Sequence, residues 1–574
     1  MTTWWEARPE RWAKEQEALK QVGLQYRIDE AARARGVMQL MISRPYNGRE
    51  IPLSSTYPAE FPFFPPLVVP ENSELIFARH QTPGSGQLCL LADDGNQWNP
   101  ETDTLAWMLT EQWDLLLGAQ PGPAQNVDAE SRQAEPIAAY LHVEPESFVG
   151  FPEFRLESLP SNGQFRFAVE NLLPLRGTVL ELLGPDGRLL ALSEARTRSD
   201  YPEDHPILTG RWVKLSVRPQ WGSANDYYHL ASQADARLQT HSWQTLPNRE
   251  GRIDLAALLF PDEITWRQEG GNVIVMSKSL LRRRDGGREA IPLLHYAETE
   301  SHRLYALRDP SAPVLHDAKV TLVGLGSVGS PTAKLLAQAG MGRLAIVDHD
   351  KLQAGNAVRW ETGRAYAGRA KVSALAELIR QNFPYTSIES SIRRLGDPAY
   401  AGSPEERRLY DLLFDGTTCI ADASAANNVT HFLAVEAWQR RVPFAWFHAT
   451  NGGWGGLVGA VAPTDPNAPC WMCHLYYLQD GHIEPIASAP EEDTVHPHGC
   501  VDPTFTGSQV DLAEVSLMAV RLICDRVRAA RNKQAVPELG WTVATVRLRN
   551  QVGHRIAPEW RTYRLERHAK CPNH

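Results

Sequence analysis

The sequence is poor in cysteine and has no long apolar run. Seven cysteines are spread over 574 residues, too few for the disulfide framework of a small secreted protein. No apolar stretch reaches the roughly 18 residues that a membrane span needs, and the first residues lack the basic and apolar regions of a signal peptide. A formal net charge of −10 argues against broad binding to nucleic acids or anionic membranes. These absences predict a cytoplasmic protein whose cysteines are core residues, nucleophiles or metal ligands.

A glycine-rich turn is the clearest motif. An apolar strand pattern leads into Gly324, Gly326 and Gly329, and a helical pattern follows. Glycines at this spacing permit a sharp turn and close approach of the backbone to phosphate oxygens. A second strand pattern at 343–347 ends in Asp348, about 20 residues on, where such folds place an acid for the ribose hydroxyls. This order predicts a Rossmann-like nucleotide site, and an ordinary Rossmann turn for another nucleotide is the alternative.

Polar and cationic residues follow this acid. They are Asp350, Asn356, Arg359 and Lys371. A nucleoside triphosphate under attack needs its charge neutralised by arginine, lysine and a divalent metal, whereas hydride transfer does not. The set therefore favours phosphate chemistry.

The order of these residues resembles the adenylation domain of ubiquitin-activating enzymes and their bacterial ThiF and MoeB relatives. The resemblance covers roughly residues 300 to 574 and implies that Asp348 holds ribose. It further implies that Asn356, Arg359 and Lys371 hold the phosphates and that Asp422 binds magnesium, with ATP as the nucleotide. The chain departs from the family after this last acid, since Ala-Ala-Asn follows where Asp-Asn is usual.

The N-terminal region combines a helix, short strands, a proline-rich segment and one cysteine. Segment 57–66 contains so many prolines that it predicts a rigid loop packed by its aromatic residues. Cys89 lies between Leu88 and Leu90, and Trp98-Asn99-Pro100 and an apolar helix pattern come later. This order resembles the ubiquitin-conjugating fold. The resemblance implies that Cys89 carries a thioester, whereas a cysteine taken alone is more simply a buried core thiol.

The match to the conjugating fold is imperfect. The family's His-Pro-Asn tripeptide corresponds here to His80-Gln81-Thr82, so the asparagine credited with stabilising the oxyanion is missing. Either another donor does that work or transfer is weaker.

Strand-like segments and Asp-Gly turn signals dominate the region between 146 and 300. The pattern predicts a β-rich domain that spaces its neighbours and carries no catalytic cluster. In the activating family, an arginine just before the first strand reaches the ATP of the other subunit in a dimer. Arg303 and Arg308 are candidates for that role, and a solvated face is the alternative.

Two short-spaced ligand pairs lie near the C-terminus. Cys470 and Cys473 form one pair, and Cys571 and His574 form the other. Pairs of thiol or imidazole groups on separate segments predict a closed tetrahedral zinc site. A redox Cys-x-x-Cys is the rival interpretation, and His474 is a spare ligand candidate.

Cys500 lies in a loop with His496, His498 and Gly499. In the activating family the thioester-forming cysteine occupies a corresponding loop, and nearby imidazoles can hold a thiol partly as thiolate. A structural loop cysteine is the alternative. Cys419 and Cys524 are predicted to be core residues.

The sequence thus predicts an α/β protein with a ubiquitin-conjugating-like α+β domain at 1–145, a β-rich domain at 146–300 and a Rossmann-like, ThiF-type adenylation domain at 301–574. The combination resembles the fusion proteins of bacterial CBASS anti-phage operons and related bacterial ubiquitin-like systems. That resemblance implies a cytoplasmic homodimer that adenylates the C-terminus of a partner protein, such as a CD-NTase or a ubiquitin-like protein, and relays it through Cys500 and Cys89 to a target amine. The alternatives are a ThiF-type sulfur-carrier adenylyltransferase and a scaffold whose conjugating-like domain only docks partners.

Overall fold

A computed structural model describes residues 2–72, 76–91, 94–120, 134–239, 242–245, 252–282, 288–309, 312–398, 402–463, 468–490, 505–531 and 540–573. The chain forms two compact units, Met1–Ser193 with Thr197–Thr299, and Glu194–Arg196 with Glu300–His574. Among the described helices, none is both long and apolar enough to cross a membrane.

The first unit begins with a small antiparallel sheet flanked by helices. Its elements are α1 (Trp4–Ala7), α2 (Pro9–Gln21), β1 (Tyr26–Ile28), α3 (Glu30–Ala34), β2 (Gln39–Tyr46), β3 (Arg49–Thr56), β4 (Leu67–Pro70), α4 (Asp94–Gln97), α5 (Leu105–Trp107), a π-helix (Met108–Gln112) and α6 (Trp113–Ala119). The strands pair in the order β1-β2-β3-β4. The last three helical segments are contiguous, as the apolar pattern of this region predicts.

A buried carboxylate ties these elements together. Glu15 on α2 is fully buried and accepts hydrogen bonds from the Tyr57 hydroxyl and the Leu105 amide, both at 3.0 Å. Arg11 pairs with it at 3.1 Å. Burial raises the pKa of Glu15 above its usual value, while the Leu105 amide and Arg11 oppose that rise. The proline-rich segment is anchored as well, because the Trp98 indole donates to the Pro62 carbonyl at 2.7 Å.

The rest of the first unit is built on a ten-stranded sheet. Its strands are β5 (Phe148–Pro152), β6 (Asn162–Leu172), β7 (Leu175–Leu183), β8 (Leu189–Leu192), β9 (Ile207–Lys214), β10 (Gln244–Thr245), β11 (Arg252–Thr265), β12 (Gln268–Arg282), β13 (Arg288–His295) and β14 (Ala297–Glu300). They run in the order β13-β12-β11-β9-β6-β7-β5-β14, with β10 on β11 and β8 on β7. The helix α7 (Ala224–Ala234) and 3₁₀ turns at Ile137–Tyr140, Leu156–Ser158, Arg198–Asp200 and Ala236–Gln239 complete this part.

Strand β11 is buried on both faces, which explains its nearly continuous apolar run. Leu255 and Leu259 pack into the core on one face, and Leu258 and Phe260 pack into the core on the other. Tyr227 of α7 belongs to the second core. Successive side chains of a strand point to opposite faces, so both faces must be covered.

The second unit holds an eight-stranded sheet with helices on it. Its strands are β15 (Lys319–Val323), β16 (Arg343–Asp348), β17 (Ser387–Ile392), β18 (Cys419–Asp422), β19 (Phe444–Ala449), β20 (Gly455–Val461), β21 (Val543–Arg549) and β22 (Arg555–Tyr563). Its helices are α8 (His302–Ala306), α9 (Ala312–His316), α10 (Gly329–Gln338), α11 (Lys371–Asn382), α12 (Pro404–Phe414), α13 (Asn427–Arg440), α14 (Trp471–Gln479) and α15 (Gln509–Arg531), with 3₁₀ turns at Ala354–Val358, Arg364–Tyr366 and Asn451–Gly453.

The strand order is β17-β16-β15-β18-β19-β20-β21-β22. Strands β17 through β19 are parallel and the later pairings are antiparallel. The carboxyl ends of β16, β15 and β18 therefore meet at one edge, where ligands bind in open α/β sheets. This arrangement confirms the predicted α/β class with a Rossmann-like C-terminal domain.

Candidate functional site

The glycine turn after β15 leaves an open hollow at its middle glycine. Gly324 has φ +86°, and a Cβ there would lie 2.6 Å from the Ser424 amide nitrogen. A Cβ on Gly329 would lie 2.0 Å from the Gly324 carbonyl oxygen. Gly326 differs, because among the residues that the structure describes its Cβ would meet no atom within 4 Å other than those of its chain neighbours. Two glycines are thus required by packing, whereas the third borders space that a phosphate group can fill.

Asp348 joins this turn to the end of β16. One of its carboxylate oxygens accepts from the Leu325 amide at 2.6 Å, and the other accepts from the Asp350 amide at 2.7 Å. Each carboxylate oxygen accepts more than one hydrogen bond, so ribose hydroxyls can still bind. The structure places Asp348 where the sequence predicts it.

Lys371 is held beside this edge by Asp350. The ammonium of Lys371, the first residue of α11, lies 2.7 Å from the Asp350 carboxylate. Burial by itself would raise the pKa of Asp350, but the hydrogen bond and charge of Lys371 outweigh it and lower that pKa. The Lys371 ammonium has three N–H donors, so it can keep this carboxylate partner and still donate to another anionic group.

Arg359 follows the 3₁₀ turn that contains Asn356. The Asn356 side-chain oxygen accepts from the Gln353 amide at 2.9 Å and caps that turn. The Arg359 guanidinium lies over the ring of Phe505, 5.8 Å from its centroid, and burial lowers its pKa.

The N-terminus of α15 packs on the glycine turn. With its amide turned to donate, Gln509 bonds the Arg359 carbonyl at 2.9 Å and the Ser327 carbonyl at 3.3 Å. Ser516 donates to the Val328 carbonyl at 3.1 Å. Sequence reasoning missed Phe505 and Gln509, and no spacing signal connects either residue to a turn so far away in the chain.

Asp422 ends β18 next to β15 and is deeply buried. Its oxygens accept from the Ser424 amide at 2.9 Å and from the Thr430 hydroxyl at 2.5 Å. Burial raises its pKa, and these hydrogen bonds oppose the rise. In the described ranges, no lysine, arginine or histidine forms an ion pair with Asp422. A carboxylate buried without a cation fits a divalent metal.

Cys89 lies on a loop of the first unit, and its side chain is exposed. Its amide donates to the His80 carbonyl at 2.8 Å. The Thr82 hydroxyl is 4.0 Å from the Cys89 sulfur. Gln81 is occupied, because its side-chain oxygen accepts from the Ile76 and Phe77 amides at 2.8 and 2.9 Å.

The Thr82 hydroxyl thus stands near the thiol at the tripeptide position where the conjugating family has asparagine. Desolvation by neighbouring atoms raises the pKa of the Cys89 thiol, the Thr82 hydroxyl lowers it, and the charge of Glu135 raises it again. Sequence reasoning left the replacement donor open, and Thr82 is the candidate that the loop presents.

Three of the four predicted zinc ligands are brought together in the second unit. The sulfur of Cys470 lies 3.8 Å from that of Cys473 and 3.6 Å from that of Cys571, and all three residues are buried. Tetrahedral zinc with Zn–S bonds of about 2.3 Å requires sulfur atoms about 3.8 Å apart. Two sulfur–sulfur distances match this spacing, and all three sulfur atoms lie within 4.8 Å of one another. The fourth candidate, His574, lies outside the described residues.

His474 lies apart from the thiol cluster in the part of the chain that the structure describes. The His474 ring packs against Trp446 at 5.4 Å between centroids, and the thiol cluster comprises cysteines alone within the described residues. Cys500 lies in 491–504, outside the described residues. Cys419 and Cys524 are buried, as predicted for core residues.

Comparison with known proteins assigns the C-terminal region. Residues 301–515 match the sequence model of the ThiF family. The C-terminal region contains a ThiF-type adenylation domain. This finding supports ATP-dependent adenylation and, with it, the use of ATP and magnesium.

The chain is also similar to several individual proteins. The uncharacterized protein y4qC of Sinorhizobium fredii is 29% identical over 95% of this chain and 93% of its own length. The adenylyltransferase and sulfurtransferase uba4 of Emericella nidulans is 36% identical over 18% of this chain and 21% of that protein. Ubiquitin-like modifier-activating enzyme 5 of Aedes aegypti is 26% identical over 28% of this chain and 40% of that protein. A crystal structure of E. coli MccB with succinimide has a TM-score of 0.32 and 13% identity, covering 46% of this chain and 68% of that one.

Proposed function

We propose that this chain adenylates the C-terminal carboxylate of a partner protein with ATP, carries the acyl group on two cysteines and joins it to a target amine, in bacterial antiviral defence. The observation that carries the adenylation step is the open space at Gly326 in the turn after β15, together with Asp422 at the end of the paired strand β18, a buried carboxylate that pairs with no cation in the described ranges. The partner is a CD-NTase or ubiquitin-like protein with a conjugatable C-terminus, and the chain works as a homodimer.

Adenylation in this site is a displacement at the α-phosphate. The partner's carboxylate oxygen forms a bond to phosphorus, the bond to the bridging oxygen breaks, and pyrophosphate leaves. Arg359 and Lys371 neutralise the phosphate charge, and Asp348 orients the ribose. Asp422 would hold magnesium, which stabilises charge on the phosphate oxygens. These cationic contacts act where charge develops, so they contribute most in the transition state.

Acyl transfer then passes through thiols. The thiolate of Cys500 attacks the mixed anhydride and AMP leaves. The thiolate of Cys89 next attacks that thioester, which exchanges one carbon–sulfur bond for another at little energetic cost. The exposure of Cys89 and the nearby Thr82 hydroxyl support its part in this relay.

The proposal also includes a structural zinc ion in the second unit. Cys470, Cys473 and Cys571 provide three thiolates, and His574 provides the fourth group. A closed site of this kind would pin the C-terminal segment to α14. Arg303 or Arg308 would reach the ATP of the second subunit.

The substitution Gly326→Ala tests the nucleotide site directly. The new Cβ meets no atom of the described residues within 4 Å beyond its chain neighbours, so the melting temperature should stay close to the wild-type value. The methyl group should instead occupy the hollow and weaken Mg–ATP binding at least tenfold, or about 1.4 kcal/mol. Isothermal titration with Mg–ATP on the full chain measures this.

Gly363→Ala is the matched control, because it also adds a Cβ in open space. It should leave both stability and ATP affinity unchanged. Wild-type ATP affinity in the Gly326→Ala protein would show that phosphates do not use this hollow.

A further inference from the structure

A carboxylate from outside the cysteine loop is held two hydrogen bonds away from Cys89. The Cys89 amide donates to the His80 carbonyl at 2.8 Å. The His80 amide in turn donates to the Glu135 carboxylate at 2.8 Å, and the His80 ring nitrogen Nδ1 lies 3.3 Å from the same oxygen. The side chain of Glu135 is 12% exposed. Its position is therefore set by the loop that presents the thiol.

The segment that carries Glu135 is anchored on the ten-stranded sheet. The Glu135 amide donates to the Glu263 carboxylate at 3.1 Å, and the Ile137 amide donates to the Asp262 carboxylate at 2.9 Å. Arg218 donates to the Glu135 carbonyl at 2.7 Å and pairs with Asp262 at 3.2 Å. The amides of Glu135 and Ile137 and the carbonyl of Glu135 thus all have hydrogen-bond partners on the sheet or beside it.

The cysteine loop is attached to the same sheet. Arg79 forms an ion pair with Glu263 at 2.9 Å, and both side chains are largely buried. Trp221 packs so closely on Gly84 that a Cβ there would lie 2.7 Å from its ring. The Trp221 indole also donates to the Tyr140 carbonyl at 3.2 Å. The loop that carries Cys89 is therefore attached to the β-rich part of the unit through Arg79 and Gly84.

Glu135 places negative charge near the thiol. The charge of Glu135 acts on both Cys89 and Tyr140. Burial, followed by the charges of Glu135 and Cys89, raises the pKa of Tyr140 to about 12, so this phenol stays neutral. A fixed carboxylate at the thiol attracts a cationic group more than an anionic one.

We propose that the ten-stranded sheet is a working part of the thioester site, because it holds Glu135 two hydrogen bonds away from Cys89, and that this carboxylate accepts a proton from the ammonium group of a lysine-type amine during aminolysis. This inference rests on the proposed function of Cys89. It gives the β-rich part a role beyond that of a spacer.

The step balances as an acyl transfer. A lysine side chain reaches the site as an ammonium ion. Glu135 takes one proton from it, and the neutral nitrogen then forms a bond to the thioester carbonyl carbon. The carbon–sulfur bond breaks, Cys89 leaves as thiolate, and the nitrogen loses its second proton as the amide forms. Both protons pass to solvent or to the thiolate, and nothing is oxidised or reduced.

A small thioester tests this step without the partner protein. In the full-length Cys500→Ala chain, Cys89 is charged by thiol exchange with the N-acetylglycine thioester of 2-mercaptoethanesulfonate. Of the described cysteines, Cys89 is the exposed one. Discharge is then followed by intact-mass spectrometry with Nα-acetyl-lysine amide or with hydroxylamine, which is already unprotonated at neutral pH.

Glu135→Gln keeps the shape of the side chain and removes its charge. General-base catalysis contributes about 10²-fold or more, so lysine discharge should slow by about 10²-fold while hydroxylamine discharge stays unchanged. Glu181→Gln, whose carboxylate pairs with Arg166 elsewhere in the unit, should leave both rates unchanged.

The other outcomes overturn the proposal at different points. Equal lysine rates in wild type and Glu135→Gln would refute the role of Glu135 and leave the relay intact. Equal slowing with both nucleophiles would mean structural damage, and would also refute the proton-transfer role. Discharge from wild type no faster than from the same thioester on N-acetylcysteine would refute the conjugating function as well.

Arg218 tests the contribution of the sheet as a positioning residue. Arg218→Ala removes the bond to the Glu135 carbonyl, so it should lower the lysine rate several-fold and spare the hydroxylamine rate. Arg218→Lys should restore part of the lysine rate. An unchanged lysine rate in Arg218→Ala would show that the sheet does not position Glu135.

Discussion

Asp422 is buried in a way that costs stability. It is 2% exposed, and within the described ranges its oxygens are bonded to neutral donors while no cation pairs with it. Burial of a charge without an opposite charge is unfavourable. We therefore expect that this carboxylate is kept for its ligand and that the folded domain is less stable because of it.

Asp422→Asn should accordingly stabilise the domain while damaging nucleotide binding. Removal of the buried charge should raise the melting temperature at neutral pH by about 2–4 °C for each kcal/mol regained. Mg–ATP affinity should fall at least tenfold, whereas ATP affinity measured in EDTA should change little. Scanning calorimetry and titration of the full chain check both results, and the exposed Asp411→Asn is the control.

The stabilisation by Asp422→Asn should be present at neutral pH and should disappear in acid. The pKa of Asp422 is raised above 3.8 in the folded chain, so its charged form destabilises folding at neutral pH. This cost fades as pH falls through the raised pKa and is absent below about pH 3.8. A gain in melting temperature that persists unchanged at that pH would contradict the burial argument.

The C-terminal segment after β22 is held to α14 by the thiol cluster. Cys571 lies within 3.6 Å of Cys470, and the His568 amide donates to the Cys473 sulfur at 3.4 Å. A short segment without strand or helix gains little stability from its own backbone. Metal binding would therefore add to the ion pairs that His568 and Lys570 form with Asp480.

Removal of residues 571–574 should release zinc and weaken the second unit. The wild-type chain should contain about one zinc per chain by elemental analysis, and the truncated chain should contain none. Limited proteolysis should then cut the second unit earlier than the first. Cys524→Ser, at a buried cysteine of α15, should keep its zinc. A wild-type chain that is folded and metal-free would favour the redox interpretation of Cys470 and Cys473.

In the whole molecule, two compact units carry two different thiol positions. Cys89 belongs to the first unit, and Cys500 belongs to the segment between α14 and α15 of the second. Two thiols in series allow one unit to activate the acyl group and the other to select the amine. The order of the proposed relay is therefore open to a direct test.

Trapped adducts on the full chain decide that order. The chain is co-expressed with the proteins encoded beside it, and adducts are mapped by mass spectrometry without reducing agent. Cys500→Ala should retain ATP–pyrophosphate exchange and form no thiol-sensitive adduct. Cys89→Ala should still carry the partner on Cys500 and yield no amide product. Partner bound to Cys89 in the Cys500→Ala chain would mean direct transfer from the adenylate.

Much of the architecture follows from local patterns in the sequence. Strand periodicity and the Gly324, Gly326 and Gly329 turn predict the parallel strands and the nucleotide edge, because each depends on residues close together in the chain. The spacing of Cys470 and Cys473 likewise predicts a ligand pair. Such features are encoded by backbone conformation and by the alternation of apolar residues.

Tertiary structure alone decided which distant side chains meet. Phe505 lies over Arg359, and Glu135 reaches His80 beside Cys89. The sequence shows the acid Asp422 but not that it is buried with neutral partners. These features depend on packing between segments far apart in the chain, where no periodicity or spacing specifies a neighbour. Functional residues that lie within one turn or strand can therefore be recognised in the sequence. Contacts between functional residues from distant segments cannot be recognised there.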